Sequence, residues 1–346
     1  MDHQGYNWIR RRSLVVLLGL SVLVVFIATL TDRGSSSLVV SAANALTFTE
    51  IASTAGVTTP SDSSGSSVVD VDGDGLEDLV VRGAVESTNT ITLYRSNGDG
   101  TFSDATASWP GLRPSDGAVN STFWADFDND GDADVALAMR NADELRFLRN
   151  NRIGKAEQSF TQISSLAGHA LLASWADFDN DGDLDVYVGV YGGSTEVSAG
   201  SDKLLRNNLK ESGTVSFTDV STSVGLLSSD SVTDAAHWTD ADNDGDMDLF
   251  VTNDSINATL TRDLFYRNLL KETDSATFEE VTGAVGFHTG SIPSTNSMFG
   301  DYDDDGDQDL YVGQGHFTAN LLYRNNLEGG SLSFTEVGGS LDVQEP

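Results

Sequence analysis

Trp175-Ala176-Asp177-Phe178-Asp179-Asn180-Asp181-Gly182-Asp183-Leu184-Asp185-Val186-Tyr187-Val188 decides how the chain is read. Acids stand at positions 1, 3, 5, 7 and 9 of a nine-residue segment, with glycine at position 6. Apolar and aromatic residues flank it on both sides. The same segment recurs at Asp70–Asp78, Asp126–Asp134, Asp240–Asp248 and Asp301–Asp309. Successive first acids lie 56, 51, 63 and 61 residues apart. A period of that length points to propeller blades or arrays rather than to short solenoid turns.

A hard divalent cation suits this spacing. Calcium takes six to eight oxygens, and carboxylates at positions 1, 3 and 5 point inward when the backbone curls around an ion. These are Asp70, Asp72 and Asp74; Asp126, Asp128 and Asp130; Asp177, Asp179 and Asp181; Asp240, Asp242 and Asp244; and Asp301, Asp303 and Asp305. Gly75, Gly131, Gly182, Gly245 and Gly306 fill position 6, where a Cβ would hinder the turn. Position 7 is expected to offer its backbone carbonyl, leaving its side chain free to vary: Leu76, Asp132, Asp183, Asp246 and Asp307. Position 9 supplies the fourth carboxylate: Asp78, Asp134, Asp185, Asp248 and Asp309.

An EF-hand needs its bidentate acid at position 12. Here that position holds Val81, Leu137, Val188, Val251 and Val312. The expected site is therefore a strand–loop–strand turn. Carboxylates this close repel by roughly 4 kcal/mol per pair at an effective dielectric near 20. A cation removes that cost, so up to five calcium ions are expected. Zinc fits poorly because every ligand is a hard oxygen, and magnesium prefers a smaller shell with more water.

Outward from each loop the order is constant. An apolar stretch leads in, such as Phe123-Trp124-Ala125, and a second leads out, such as Val135-Ala136-Leu137. A third ends in arginine, mostly followed by asparagine: Tyr94-Arg95, Leu148-Arg149, Leu205-Arg206, Tyr266-Arg267 and Tyr323-Arg324. A fourth begins at Phe102, Phe160, Phe217, Phe278 and Phe334. These segments are short, rich in aromatic and β-branched residues, and bounded by turn formers, which predicts strands. Four strands per unit predict an all-β protein, a β-propeller of four-stranded blades with the loop between the first and second strands. The recurring arginine is expected to be a structural bridge to an acidic neighbour rather than a ligand site. A surplus copy of the fourth element, Leu46–Ile51, precedes the first loop, so the repeat is expected to run off the end in phase, as part of a longer protein.

The N-terminus differs. Arg10-Arg11-Arg12 precedes residues 13–30, which carry no charge. As a helix rising about 1.5 Å per residue, this run nearly spans a bilayer core, and the flanking charge places the remainder outside. Residues 1–45 are expected to be a signal peptide or an uncleaved signal anchor with its linker, residues 46–340 the propeller, and residues 341–346 a tail. Either form of the N-terminus predicts an extracytoplasmic protein, secreted or membrane-anchored, that meets the membrane only through this helix.

The chain has a formal charge of −34 and no cysteine. Disulfides and thiolate sites are excluded, and so acidic a surface repels nucleic acid and anionic lipid. No catalytic constellation emerges. His169, His237, His288 and His316 are dispersed, and no serine sits in a Gly-x-Ser-x-Gly elbow. Residues 191–203 and 253–263 interrupt the repeat and are the expected partner-specific loops.

The segment around Asp177–Asp185, with Leu205-Arg206-Asn207-Asn208 and Phe217-Thr218-Asp219-Val220 after it, resembles an FG-GAP/VCBS repeat. The set is similar to the cartilage acidic protein (ASPIC-type) family and to integrin α-subunit propellers. The resemblance implies a calcium-stabilised propeller, commonly seven-bladed, on an exported protein serving cell adhesion or the recognition of a protein or glycan. Some such propellers are appended to enzymes. The alternatives are therefore the propeller module of an extracytoplasmic enzyme acting on polysaccharide or lipid, or a purely structural spacer.

Overall fold

A computed structural model describes residues 48–341 apart from 59–64, 86–87, 140–142, 153–157, 191–200, 227–231, 255–261, 291–292, 316–317 and 328–329. The expected N-terminal helix, nearly all of the 341–346 tail, and most of the two inserts lie outside the described residues. Among the described residues no helix is long and apolar enough to cross a membrane. All five sheets fall in one compact unit, Ile51–Pro346.

The unit is all-β: five four-stranded antiparallel meanders, the blades of a β-propeller. Blade 1 comprises β1 (Gly65–Val69), β2 (Asp78–Val85), β3 (Thr88–Ser96) and β4 (Phe102–Asp104). Blade 2 comprises β5 (Val119–Ala125), β6 (Asp134–Met139), β7 (Glu144–Asn150) and β8 (Phe160–Ala167). Blade 3 comprises β9 (Ala170–Ala176), β10 (Asp185–Val190), β11 (Lys203–Asn207) and β12 (Phe217–Asp219). Blade 4 comprises β13 (Val232–Thr239), β14 (Asp248–Asp254), β15 (Leu264–Asn268) and β16 (Phe278–Glu280). Blade 5 comprises β17 (Ser294–Gly300), β18 (Asp309–Gln314), β19 (Leu321–Asn325) and β20 (Phe334–Glu336). The first strands pack side by side in chain order, β1 on β5, β5 on β9, β9 on β13 and β13 on β17.

Each acidic loop joins the first two strands of its blade. The register makes position 9 the first paired residue of the second strand: Ala125 faces Asp134, Ala176 faces Asp185 and Thr239 faces Asp248. Among the described residues there are also three single-turn α-helices, α1 (Leu209–Ser212), α2 (Leu270–Thr273) and α3 (Gly338–Leu341), and a 3-10 turn at Thr106–Ser108. Four residues are too few to leave an amphipathic period in the sequence.

The core lies between blades rather than within them. Both faces of a central strand are buried, so its residues alternate between the neighbour before and the neighbour after. Phe127 and Phe147 of blade 2 pack against Trp175 and Phe217 of blade 3. Phe178 of blade 3 meets Trp238 and Phe278 of blade 4. Phe250 and Phe265 of blade 4 meet Phe299 and Phe334 of blade 5. The aromatic two residues before each loop, Trp124, Trp175, Trp238 or Phe299, thus reaches back into the preceding blade. Connectors close the outer part of these joints. Gly111, at φ +93°, lets the chain pass so close to Phe160 that a Cβ would stand 2.1 Å from the Phe160 carbonyl oxygen.

Candidate metal centres

The loop backbone is built by two left-handed residues. Position 4 has φ between 55° and 61° at Gly73, Asn129, Asn180, Asn243 and Asp304. Position 6 has φ between 84° and 97° at the five glycines. Glycine, asparagine and aspartate are the residues that tolerate this conformation, so column 4 is as constrained as column 6. That column was not singled out in the sequence, although its restriction to these three types was its signal.

Backbone N–H groups then orient the acids. In the third loop Asp177 Oδ1 accepts from the Asp181 N–H at 3.0 Å and Oδ2 from Gly182 at 2.9 Å. Asp181 Oδ1 accepts from the Asp183 N–H at 2.9 Å. Asp185 Oδ2 accepts from Phe178 at 3.2 Å and Oδ1 from Asn207 at 2.8 Å. The other loops repeat these bonds at the corresponding residues. Backbone N–H groups thereby hold both oxygens of each position-1 and position-9 acid.

The acids at positions 1, 3 and 9 converge. Single oxygens of Asp70, Asp72 and Asp78 lie within 4.8 Å of one another, as do those of Asp126, Asp128 and Asp134, and of Asp177, Asp179 and Asp185. In the fourth loop Asp240, Asp242 and Asp244 form such a group. These groups could hold a metal ion. The position-3 acids test the fit. One oxygen of each of Asp128, Asp179 and Asp242 is buried without a hydrogen-bond partner. A buried carboxylate oxygen with no donor is costly, and a cation is the partner that acidic neighbours allow. Burial, reinforced by neighbouring loop acids, pushes the Asp128 and Asp179 carboxyls up to about 6. Burial pushes Asp134, Asp185 and Asp248 up to about 8.

The recurring arginine meets an acid in four blades, Arg206 reaching Glu211 at 3.7 Å, whereas Arg324 donates to the Asn326 side chain instead. Arg95 pairs with Asp72 and with Asp74 at 2.8 Å, and Arg267 pairs with Asp242 at 2.8 Å. Arg149 stands 4.0 Å from Asp128. Arg95, Arg267 and Arg149 each steady one oxygen of a position-3 acid, so the arginine flanks the site rather than filling it.

Position 7 corrects an expectation. Its side chain is not free to vary in loops 2 to 5, where Asp132, Asp183, Asp246 and Asp307 are buried. The acid accepts from the position-4 asparagine of the preceding blade: Asn129 to Asp183 at 3.2 Å, Asn180 to Asp246 at 3.0 Å and Asn243 to Asp307 at 2.9 Å. Asp183 and Asp246 also accept from the Lys210 and Lys271 N–H groups in α1 and α2. Between blades 1 and 2 the preceding residue is Gly73, and Arg152 substitutes, donating to Asp132 Oδ1 at 3.1 Å and to the Gly73 carbonyl at 3.3 Å.

The asparagine after each arginine is a second joint residue. Asn150, Asn207, Asn268 and Asn325 donate their side-chain amides to the position-2 carbonyls of the preceding blade, Val71, Phe127, Phe178 and Ala241, at 2.8–3.0 Å. The loops are thus joints between blades as well as acidic cages. Of the four histidines, His169 lies just before β9, His237 lies on β13 with its pKa lowered by burial, His288 follows blade 4, and His316 lies outside the described residues.

No curated protein matches the chain. The family model described as FG-GAP-like repeat matches residues 70–137 and 126–188, each span running from the first acid of one loop to the strand beyond the next. Repeat, strand order and loop geometry agree there, and the chain carries FG-GAP-like repeats.

Proposed function

We propose that the chain is an exported, calcium-binding β-propeller that presents loops for recognition of a protein or glycan, without catalysis of its own. The buried, donorless oxygens of Asp128, Asp179 and Asp242 carry the metal part of this reading. Calcium is favoured because every converging ligand is a hard carboxylate oxygen. Asp70, Asp126, Asp177, Asp240 and Asp301 would hold the ion with the acids at positions 3, 5 and 9, and the position-7 carbonyl would complete the shell. The ion would neutralise the acids and fix the turn between the first two strands of each blade, a structural role.

Recognition rests on the inserts at 191–203 and 253–263, which interrupt the repeat between the second and third strands of blades 3 and 4. Export rests on the charge-flanked apolar run at 13–30. An enzymatic role would need a cleft with reacting groups. The small cleft lined by Asp263, His288 and Tyr323 does not offer one. Asp263 is committed to the Ser294 hydroxyl at 2.8 Å and the Asn253 N–H at 3.1 Å.

Isothermal titration of the chelator-treated protein with calcium and with magnesium tests the metal. Calcium binding in preference to magnesium, abolished loop by loop on replacing the position-1 and position-3 acids, supports the reading; no heat with calcium sinks it. Binding to an array of extracellular glycans and matrix proteins, compared between the intact chain and one with both inserts shortened, tests recognition. Unchanged binding after shortening would remove the inserts from the proposal.

A further inference from the structure

Three of the four joints share one set of parts, and the joint between blades 1 and 2 departs from it in having Gly73 and Arg152 in place of the position-4 amide. A blade reaches back with the aromatic two residues before its loop, with the asparagine at the end of its third strand, and with the acid at position 7. It receives the next blade with the apolar residue at position 2, the apolar residue at position 11 in the second strand, and the amide at position 4. The first blade departs from the pattern at every reaching-back position, with Val68 for the aromatic, Leu76 for the acid and Ser96 for the asparagine. The fifth blade keeps the apolar part of its receiving face, and among the described residues no further blade covers it.

That open face is apolar. Tyr302 at position 2 is 43% exposed and Tyr311 at position 11 is 37% exposed. Their counterparts in blades 1 to 4, such as Phe127 and Ala136 or Phe178 and Tyr187, are all buried. Met298 on β17 is 66% exposed beside them. On the first blade, Val68 is 68% exposed and Leu76 is 37% exposed. Among the described residues of blades 1 to 5, the exposed large apolar side chains fall on these two faces, apart from Met247.

The two faces also compensate each other's departures. Position 4 of the fifth blade is Asp304, where blades 2 to 4 carry asparagine. Against an ordinary position-7 aspartate it would set two carboxylates in contact, which is repulsive. Against Leu76 it meets no acid. Blade 1 is the one blade whose position 7 tolerates Asp304, and blade 5 is the one receiving face that asks nothing of Leu76. In the same chain β17 and β1 are not among the packed pairs of first strands.

We propose that blade 5 of one copy receives blade 1 of a second copy, extending the blade-to-blade joint between chains. The contact buries Met298, Tyr302 and Tyr311 against Val68 and Leu76. It is a heterologous, head-to-tail interface, so its products are rings or open chains of molecules rather than twofold dimers.

The absence of cysteine makes the test direct. The full chain is prepared in mild detergent in two forms, Leu76→Cys with one tag and Asp304→Cys with another. The bis-maleimide used is one that joins Asn180→Cys to Asp246→Cys within a single chain, the same pair of positions at an existing joint. Mixing the two single variants should give a cross-linked species carrying both tags. A mixture that stays monomeric overturns the proposal. So does a Leu76→Cys/Asp304→Cys double variant that cross-links only within itself, which would mean that the chain closes on its own first blade. Sedimentation supplies a second readout. Leu76→Asp sets an acid against Asp304 and should weaken self-association at least tenfold, and adding Asp304→Asn should restore it by recreating the amide–acid pair. Equal association in all three forms overturns the proposal.

Discussion

Asn180 in the third loop donates its side-chain amide to Asp246 in the fourth, 3.0 Å away, so one acidic loop holds the next. Asn180→Asp keeps the size and the tolerance for φ 55° while removing the donor and facing two carboxylates. The loss should be about 1–3 kcal/mol, the usual cost of a buried group deprived of its partner. Urea denaturation measures it. The mirror change Asp304→Asn, made at monomeric concentration where nothing faces it, should stay within about 0.5 kcal/mol. Equal effects would mean that the amide–acid bond does not hold the joint.

Removing metal should loosen the whole array. Each site filled at a hundred times its Kd contributes about 2.7 kcal/mol when the unfolded chain does not bind. Chelator should therefore lower Tm by more than about 5 °C, and calcium should restore it. Asp179→Ala should abolish the contribution of the third loop. Calorimetry with and without chelator decides, and an unchanged Tm would remove calcium from the account of stability.

Without metal, pH should act in an unusual direction. The carboxyls of Asp134, Asp185 and Asp248 are raised to about 8 when folded, through burial, against about 3.9 unfolded. Between these values the folded state holds protons that the unfolded state has released. Stability then falls as pH rises from about 4 to about 8. Chelator-treated protein should unfold at lower urea at pH 8 than at pH 5.5. Calcium should reverse the trend, because the ion replaces those protons. A metal-free protein more stable at pH 8 would contradict the buried-acid geometry.

Asn268 spans two blades from a buried position, donating to the Phe178 carbonyl at 2.8 Å and the Met247 carbonyl at 3.3 Å, and its own oxygen accepts from the Leu270 N–H at 3.2 Å. Asn268→Ala strands these groups and should cost more than about 2 kcal/mol. Ser96, the residue at the same place in blade 1, bonds within its own blade, its hydroxyl accepting from the Gly98 N–H at 3.4 Å. Ser96→Ala should stay within about 0.5 kcal/mol in the monomer. Paired denaturation curves check the contrast.

The fold was legible because its signals are local and repeated. The alternation around Val186-Tyr187-Val188, the glycine at position 6 and the phenylalanine opening each fourth strand mark strands and turns without reference to distant residues. The ligand columns were legible for the same reason. The joints were not. Asp183 and Asp246 look like further ligands in a loop full of acids, and only their neighbours in space, Asn129 and Asn180, show that they serve the adjacent blade. Asn207 is one of the asparagines that follow the arginine; its bond to the Phe127 carbonyl, 80 residues away, is invisible to any short window. Arg152 breaks no pattern in the sequence because it belongs to none, yet it fills the place that Gly73 leaves.

Gly73 and Arg152 also give the array a grammar. From the second loop to the fourth, plug and socket are interchangeable: the amide on each of these blades fits the acid on any blade from the third to the fifth. A duplicated copy of blade 3 or blade 4, spliced in beside its parent, would find both neighbours already cut to match. At the first joint the parts differ, because a guanidinium reaches over a residue with no side chain, and an asparagine at 73 would have to displace it. The chain can therefore grow by gene duplication in its middle while its leading blade stays keyed to a single successor.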